Sequence, residues 1–103
     1  MLRFIIKETS IATDKNPSFA GETAICYSGK AGECVGYDGN HDQMYYRFWD
    51  EDNKVWSRRG LDKGKIREYG YKRLCDAKKA FIYRNPENSD FWHSTVEIIK
   101  LEV

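Results

Sequence analysis

Leu2, Phe4 and Ile6 alternate with Arg3 and Lys7, the period of a strand buried on one face. Residues 9–21, broken by Asn16-Pro17 and Gly21, read as a long surface loop. Short strands are expected at Thr23 to Tyr27 and Glu33 to Tyr37, about Ser28-Gly29-Lys30-Ala31-Gly32, and Asp38-Gly39 is a tight-turn dipeptide. Further strands are expected at Met44 to Asp50 and Lys54 to Arg59, with Lys65 to Tyr71 extended. One helix follows, from Tyr71 to Arg84. Ala77, Phe81, Leu74, Tyr71, Ile82 and Cys75 share its apolar stripe, while Lys72, Arg73, Asp76, Lys79 and Arg84 face the other way. Lys78 falls inside the stripe and must snorkel its ammonium to water. Asn85-Pro86 ends the helix, and Thr95 to Val103 closes the chain as a strand with Ile99, Leu101 and Val103 on one face. The pattern predicts an α+β fold over a single domain, residues 1–103: an antiparallel β-sheet of about five or six strands, with one amphipathic helix packed on one face. Phe81 and either Ile98 or Ile99 are its expected core.

Composition fits a folded domain: 41% of the 103 residues are hydrophobic and 15% aromatic, too many for a disordered chain. Apolar runs are as short as Phe4-Ile5-Ile6, so no membrane span is expected, and the first residues lack the pattern of a secretory signal. A cytoplasmic location follows as the expectation. Cys26, Cys34 and Cys75 form an odd set without a C-x-x-C pair, which predicts reduced thiols, mostly buried. Cys26 and Cys34 would face one another across the Ser28–Gly32 turn. With His41 and His93 at spacings no zinc module uses, neither a metal nor a cofactor is expected.

No motif nominates a catalytic residue. Gly60 to Ile66 is one residue short of a phosphate loop and has Ile66 where a Ser or Thr would bind metal. Asp38 to Asp42 lacks the ligand spacing of a calcium loop. Cys75 and His93 are the one conceivable thiol–imidazole pair, and packing accounts better for Cys75. An enzyme is therefore not the expectation.

Charge is segregated beneath a net of +1. Residues 1–53 hold 5 Lys and Arg against 9 Asp and Glu, residues 54–84 hold 11 against 3, and residues 85–103 hold 1 against 4. Such asymmetry either marks a directional binding surface or is neutralised across the fold. A hairpin centred on Asp52-Asn53 sets Glu51 opposite Lys54, Trp49 opposite Trp56 and Arg47 opposite Arg58. Tyr46, Phe48 and Val55 then face the core, and Tyr45, Arg47, Trp49, Trp56 and Arg58 form an exposed strip suited to bases or carboxylates. The alternative buries the tryptophans and frays the arginines outward at their rim. The candidate binding residues are Arg47, Trp49, Trp56, Arg58, Arg59, Arg67, Lys72, Arg73, Lys79 and Arg84.

The start at Met1-Leu2-Arg3-Phe4-Ile5-Ile6, the Gly-Tyr-x-x-Leu-x-x-Ala-x-x-Ala pattern from Gly70 to Ala80 and the closing Val96 to Val103 resemble the short single-domain proteins of bacteriophages and bacterial mobile elements. That resemblance implies stoichiometric binding, often as an inhibitor of host defence or nucleic-acid machinery, and no catalytic residue. A second similarity is to small DNA readers with a three-stranded sheet before a helix, though their base-reading residues have no counterparts here. The expected partner is an acidic protein; a direct nucleic-acid binder is second, because a pI of 7.7 is low for a dedicated DNA-binding domain. A nucleotide or small-ligand binder is third.

Overall fold

The computed structural model describes residues 1–41, 46–83 and 88–103. Among these residues seven strands and two α-helices follow in chain order: β1 (Leu2–Ala12), β2 (Thr23–Ser28), β3 (Cys34–Gly39), β4 (Phe48–Asp50), β5 (Val55–Ser57), β6 (Gly60–Leu61), α1 (Lys63–Tyr69), α2 (Leu74–Ile82) and β7 (Trp92–Glu102). Five strands form an antiparallel sheet in the order β6-β3-β2-β1-β7, and β4 and β5 form a second, two-stranded sheet. The class is α+β as expected; the one-sheet, one-helix version of it is corrected.

β1 runs past the expected loop start at residue 9 because it lies inside the sheet. Glu8, Thr9 and Ser10 are paired to β2 on one side and β7 on the other, so the backbone ladder sets their conformation without apolar alternation. Ser10 and Ser94 share a 2.8 Å hydroxyl hydrogen bond within it. Both chain ends lie in the sheet: Leu2 pairs with Glu102, and the Met1 ammonium donates to the Val103 carbonyl at 2.7 Å.

Ile5 and Ile6 point to opposite faces, yet both are buried, so the sheet is covered on both sides. On the Ile5 face, Tyr27, Val35 and Ile66 complete the core, with Ile25, Leu61, Tyr69, Ile99, Leu101 and Val103 packed around it. Ile66 belongs to α1, within the segment expected to be extended. Asp62 caps this helix by accepting from the Lys65 amide at 3.2 Å, and Gly70 stops it. A seven-residue helix with only Ile66 and Tyr69 on its inner side shows too little periodicity to be read from sequence.

After α1, Tyr71 exchanges two backbone hydrogen bonds of 2.8 Å with Phe4 at the edge of β1. The chain crosses the sheet there. α2 then packs on β1 and β7 over the Ile6 face, with Ala77 fully buried. Its buried stripe is narrower than expected. Phe81 is half-buried, and Leu74, Cys75 and Ile82 are exposed, because the close contact is made through one small residue and the helix ends overhang. Ile98 and Ile99 are likewise half-buried. Lys78 is exposed, as its snorkelling requires. Arg84 and the Asn85-Pro86 helix stop lie outside the described residues. Among those described, no helix is long and apolar enough to cross a membrane.

Candidate functional site

The β4–β5 hairpin stands apart from the main sheet and is built by its turn. The Asp50 carboxylate accepts from the Asp52 amide at 3.0 Å, the Asn53 amide at 3.2 Å and the Asn53 side chain at 2.8 Å. These bonds, the Asn53 side chain foremost, hold the Asp50 carboxyl below its ordinary range. The turn fixes the expected register, with Trp49 opposite Trp56, and Asp52 is tied to Lys63 of α1 at 2.5 Å.

Alternation then decides the faces. Phe48 is buried beside the Tyr46 ring (centroids 5.9 Å apart), and Tyr46 meets Tyr37 edge-on at 5.1 Å, so an aromatic chain anchors the hairpin to β3. Trp49 and Trp56 consequently point outward, 43% and 68% exposed, with their rings 5.8 Å apart and inclined at 66°. The alternative that buries the tryptophans is thereby excluded. Val55, expected on the core side, is exposed as well, because only the Phe48 end of the hairpin reaches the main sheet. The ladder stops at Phe48 and Ser57, where the Ser57 hydroxyl donates to the Arg59 carbonyl at 2.6 Å and turns the chain. Arg47 and Arg58 are therefore exposed beyond the ladder rather than opposed within it, and Arg59 is exposed beside them. Tyr45 lies outside the described residues.

At the other end the surroundings change sign. Trp49, Asp50, Glu51, Asp52, Leu61, Asp62, Lys63 and Gly64 line a cleft of about 180 Å³. The tryptophan pair thus has arginines at one end and four carboxylates at the other. The acidic tip was visible in the sequence as Asp50-Glu51-Asp52, but block sums of charge absorb it.

The remaining candidates fall elsewhere. Lys72 and Arg73 line a second cleft of about 540 Å³ with Lys30, Tyr71 and Asp76. Arg73 is engaged there by a forked pair with Asp76, at 2.9 and 3.2 Å, which raises the guanidinium's pKa and lowers the carboxyl's. Arg67 is exposed on α1 and Lys79 on α2, helices on opposite faces of the sheet. The basic segment is thus dispersed over several surfaces, and the hairpin gathers Arg47, Arg58 and Arg59 with the two tryptophans.

One cluster has no sequence signal at all. His41 Nδ1 lies 3.0 Å from Glu22, its ring meets those of Phe19 and Trp92 edge-on, and it lines a shallow pocket with Ser10 and Ser94. Its members come from segments far apart in the chain, joined by sheet pairing and by loop hydrogen bonds such as the His41 amide to the Thr23 carbonyl. Among the described residues, no group of three or more His, Cys, Asp or Glu is placed to hold a metal ion. Comparison of the chain with protein-family models, with curated proteins and with solved structures finds no match in any of the three.

Proposed function

We propose that this chain is a non-enzymatic binding protein that docks the Trp49–Trp56 face of its hairpin on an acidic protein partner. The observation that carries the reading is the outward-facing tryptophan pair, side by side on a hairpin held rigid by its own turn and by Phe48. Two large rings left in water cost the folded chain hydrophobic free energy, and a partner that covers them recovers it. Trp and Arg are also the residue types that dominate binding energy at protein interfaces.

The charge at the two ends orders the candidate partners. Arg47, Arg58 and Arg59 suit carboxylates, whereas Asp50, Glu51 and Asp52 beside Trp49 would repel a phosphate backbone running along the strip. A protein surface can match both signs; a polyanion cannot. The resemblance to phage and mobile-element proteins extends the proposal to a stoichiometric inhibitor or modulator of a nucleic-acid-processing or defence system.

The test is capture from native-host lysate, with and without nuclease, followed by affinity measurement with variants shown to remain folded. Trp56→Ala is expected to weaken binding by about 2 kcal/mol or more, roughly thirtyfold. Reversing Arg58 and Arg59 to Glu should mainly slow association and flatten its salt dependence. Unchanged affinity of both variants for every recovered partner overturns the reading. A partner lost on nuclease treatment, with affinity falling linearly in log–log terms with salt, replaces it with direct nucleic-acid binding.

A further inference from the structure

Two of the three cysteines meet in the sheet. Cys26 on β2 is opposite Tyr37, and Ser28 is opposite Cys34, so the thiols are diagonal neighbours across one strand pair. Between those pairs the register shifts: Tyr27 pairs with Gly36 and Ser28 with Cys34, which leaves Val35 as an extra residue in β3. Val35 turns into the core with Ile5 and Ile66, and the bulge leaves Cys34 on the side of Cys26. The Sγ atoms stand 4.0 Å apart. A disulfide needs about 2.05 Å, so the gap is closed by modest side-chain rotation within a locally bent strand. Both thiols are half-buried rather than sealed, whereas Cys75 is exposed on α2.

The groups around the pair favour a thiolate on one side of it. Cys34 shares a thiol–thiol hydrogen bond with Cys26, and the neighbouring Tyr37 and the Lys65 ammonium favour its thiolate further. Together these outweigh burial and bring the Cys34 thiol down to about 6. Lys65 is held in place by Glu33 at 3.4 Å and lies 5.0 Å from the centre of the Tyr46 ring. The same contact with Cys34 is the first cause that lifts the Tyr37 phenol above its usual range.

We propose that Cys26 and Cys34 are a reversible dithiol–disulfide site that exchanges with small-molecule disulfides, Cys34 attacking and Cys26 resolving. The Cys34 thiolate attacks one sulfur of a disulfide RSSR, its S–S bond breaks, and RS⁻ leaves with the electron pair and takes a proton from water. Cys26 then gives its proton to solvent and attacks the Cys34 sulfur of the mixed disulfide, expelling the second RS⁻. The dithiol is oxidised to one intramolecular disulfide while RSSR is reduced to two RSH, and the new bond ties β2 to β3 beside the bulge. An excess of RSH runs the sequence backwards.

The experiment uses the full chain, glutathione disulfide at neutral pH, intact mass and peptide mapping. The wild-type protein and Cys75→Ser should lose the mass of two hydrogens at the Cys26–Cys34 pair and regain it with glutathione. Cys26→Ser should stall with one glutathione on Cys34, and Cys34→Ser should give neither the bridge nor rapid addition at Cys26. In the wild-type protein, alkylation of Cys34 should be half-maximal near pH 6, well below that of Cys75. Mapping of the unsubstituted chain alone decides the matter if a variant fails to fold. Stable glutathione addition spread over all three cysteines, or no cross-link between Cys26 and Cys34, overturns the proposal.

Discussion

Replacing Ile66 by alanine is expected to remove about 4 kcal/mol of stability, in the upper part of the roughly 2–5 kcal/mol range for truncating an enclosed isoleucine. Ile66 is 0% exposed and meets Ile5, Val35 and Tyr27 on the face that α1 covers. Three of the four core residues are held by hydrogen-bonded strands, so the cavity has little freedom to collapse. Ile66 is also the buried residue of α1, a helix too short to form without its anchor. Because domains of this size are stable by roughly 5–15 kcal/mol, the variant should sit near the edge of folding. Urea unfolding followed by tryptophan fluorescence measures the loss, with Ile66→Val costing only about 0.5–1.5 kcal/mol. A loss below about 1 kcal/mol for the alanine variant would remove Ile66 from the core and α1 from this face.

Gly39→Ala should cost about 3 kcal/mol for two separate reasons. Its φ is +94°, a backbone conformation that costs an L side chain roughly 1–2 kcal/mol. In addition, a Cβ at this position falls well inside contact distance of the Thr23 carbonyl oxygen, and relieving such a clash costs about 1–3 kcal/mol more. Gly21 separates the two effects. Its φ is +81°, but nothing lies within 4 Å of its Cβ position, so Gly21→Ala should show the conformational cost alone. Equal losses for the two variants in parallel unfolding curves would mean that β3 does not approach β2 as closely at Gly39 as the pairing with Ala24 requires.

That pairing also shows where sequence reasoning stopped. Asp38-Gly39 reads as a tight turn because glycine supplies positive φ; the structure instead uses the two as the last residues of β3, where Gly39 pairs with Ala24. Features set by near neighbours were legible. The Trp49–Trp56 register follows from the turn residues between them; the short link between β2 and β3 brings Cys26 and Cys34 near, but the bulge at Val35 makes them diagonal neighbours rather than the directly opposed pair expected. Features set by distant pairing were not. The polar half of β1 is a strand only because β2 and β7 flank it, and the crossing at Tyr71 that separates Arg67 from Lys79 depends on a bridge to Phe4. The candidate site was half legible for the same reason. Local register predicted the tryptophan pair, but which side faced water depended on Phe48 meeting an aromatic chain from β3.

The pairing of β1 with β7 has a kinetic side. Met1 and Glu102 are 101 positions apart, and β1 pairs with β7 over its whole length. At about 5–20 residues per second, synthesis leaves β1 waiting on the order of ten seconds for the strand that covers its second edge. β2 and β3 can join β1 during that interval, but the incomplete sheet ends on an open row of N–H and C=O groups next to the buried isoleucines. A nascent chain in this state is a template for pairing with another copy of itself. Arg3 and Lys7, spaced along that unfinished edge, place like charges on every copy and so oppose such pairing until β7 arrives.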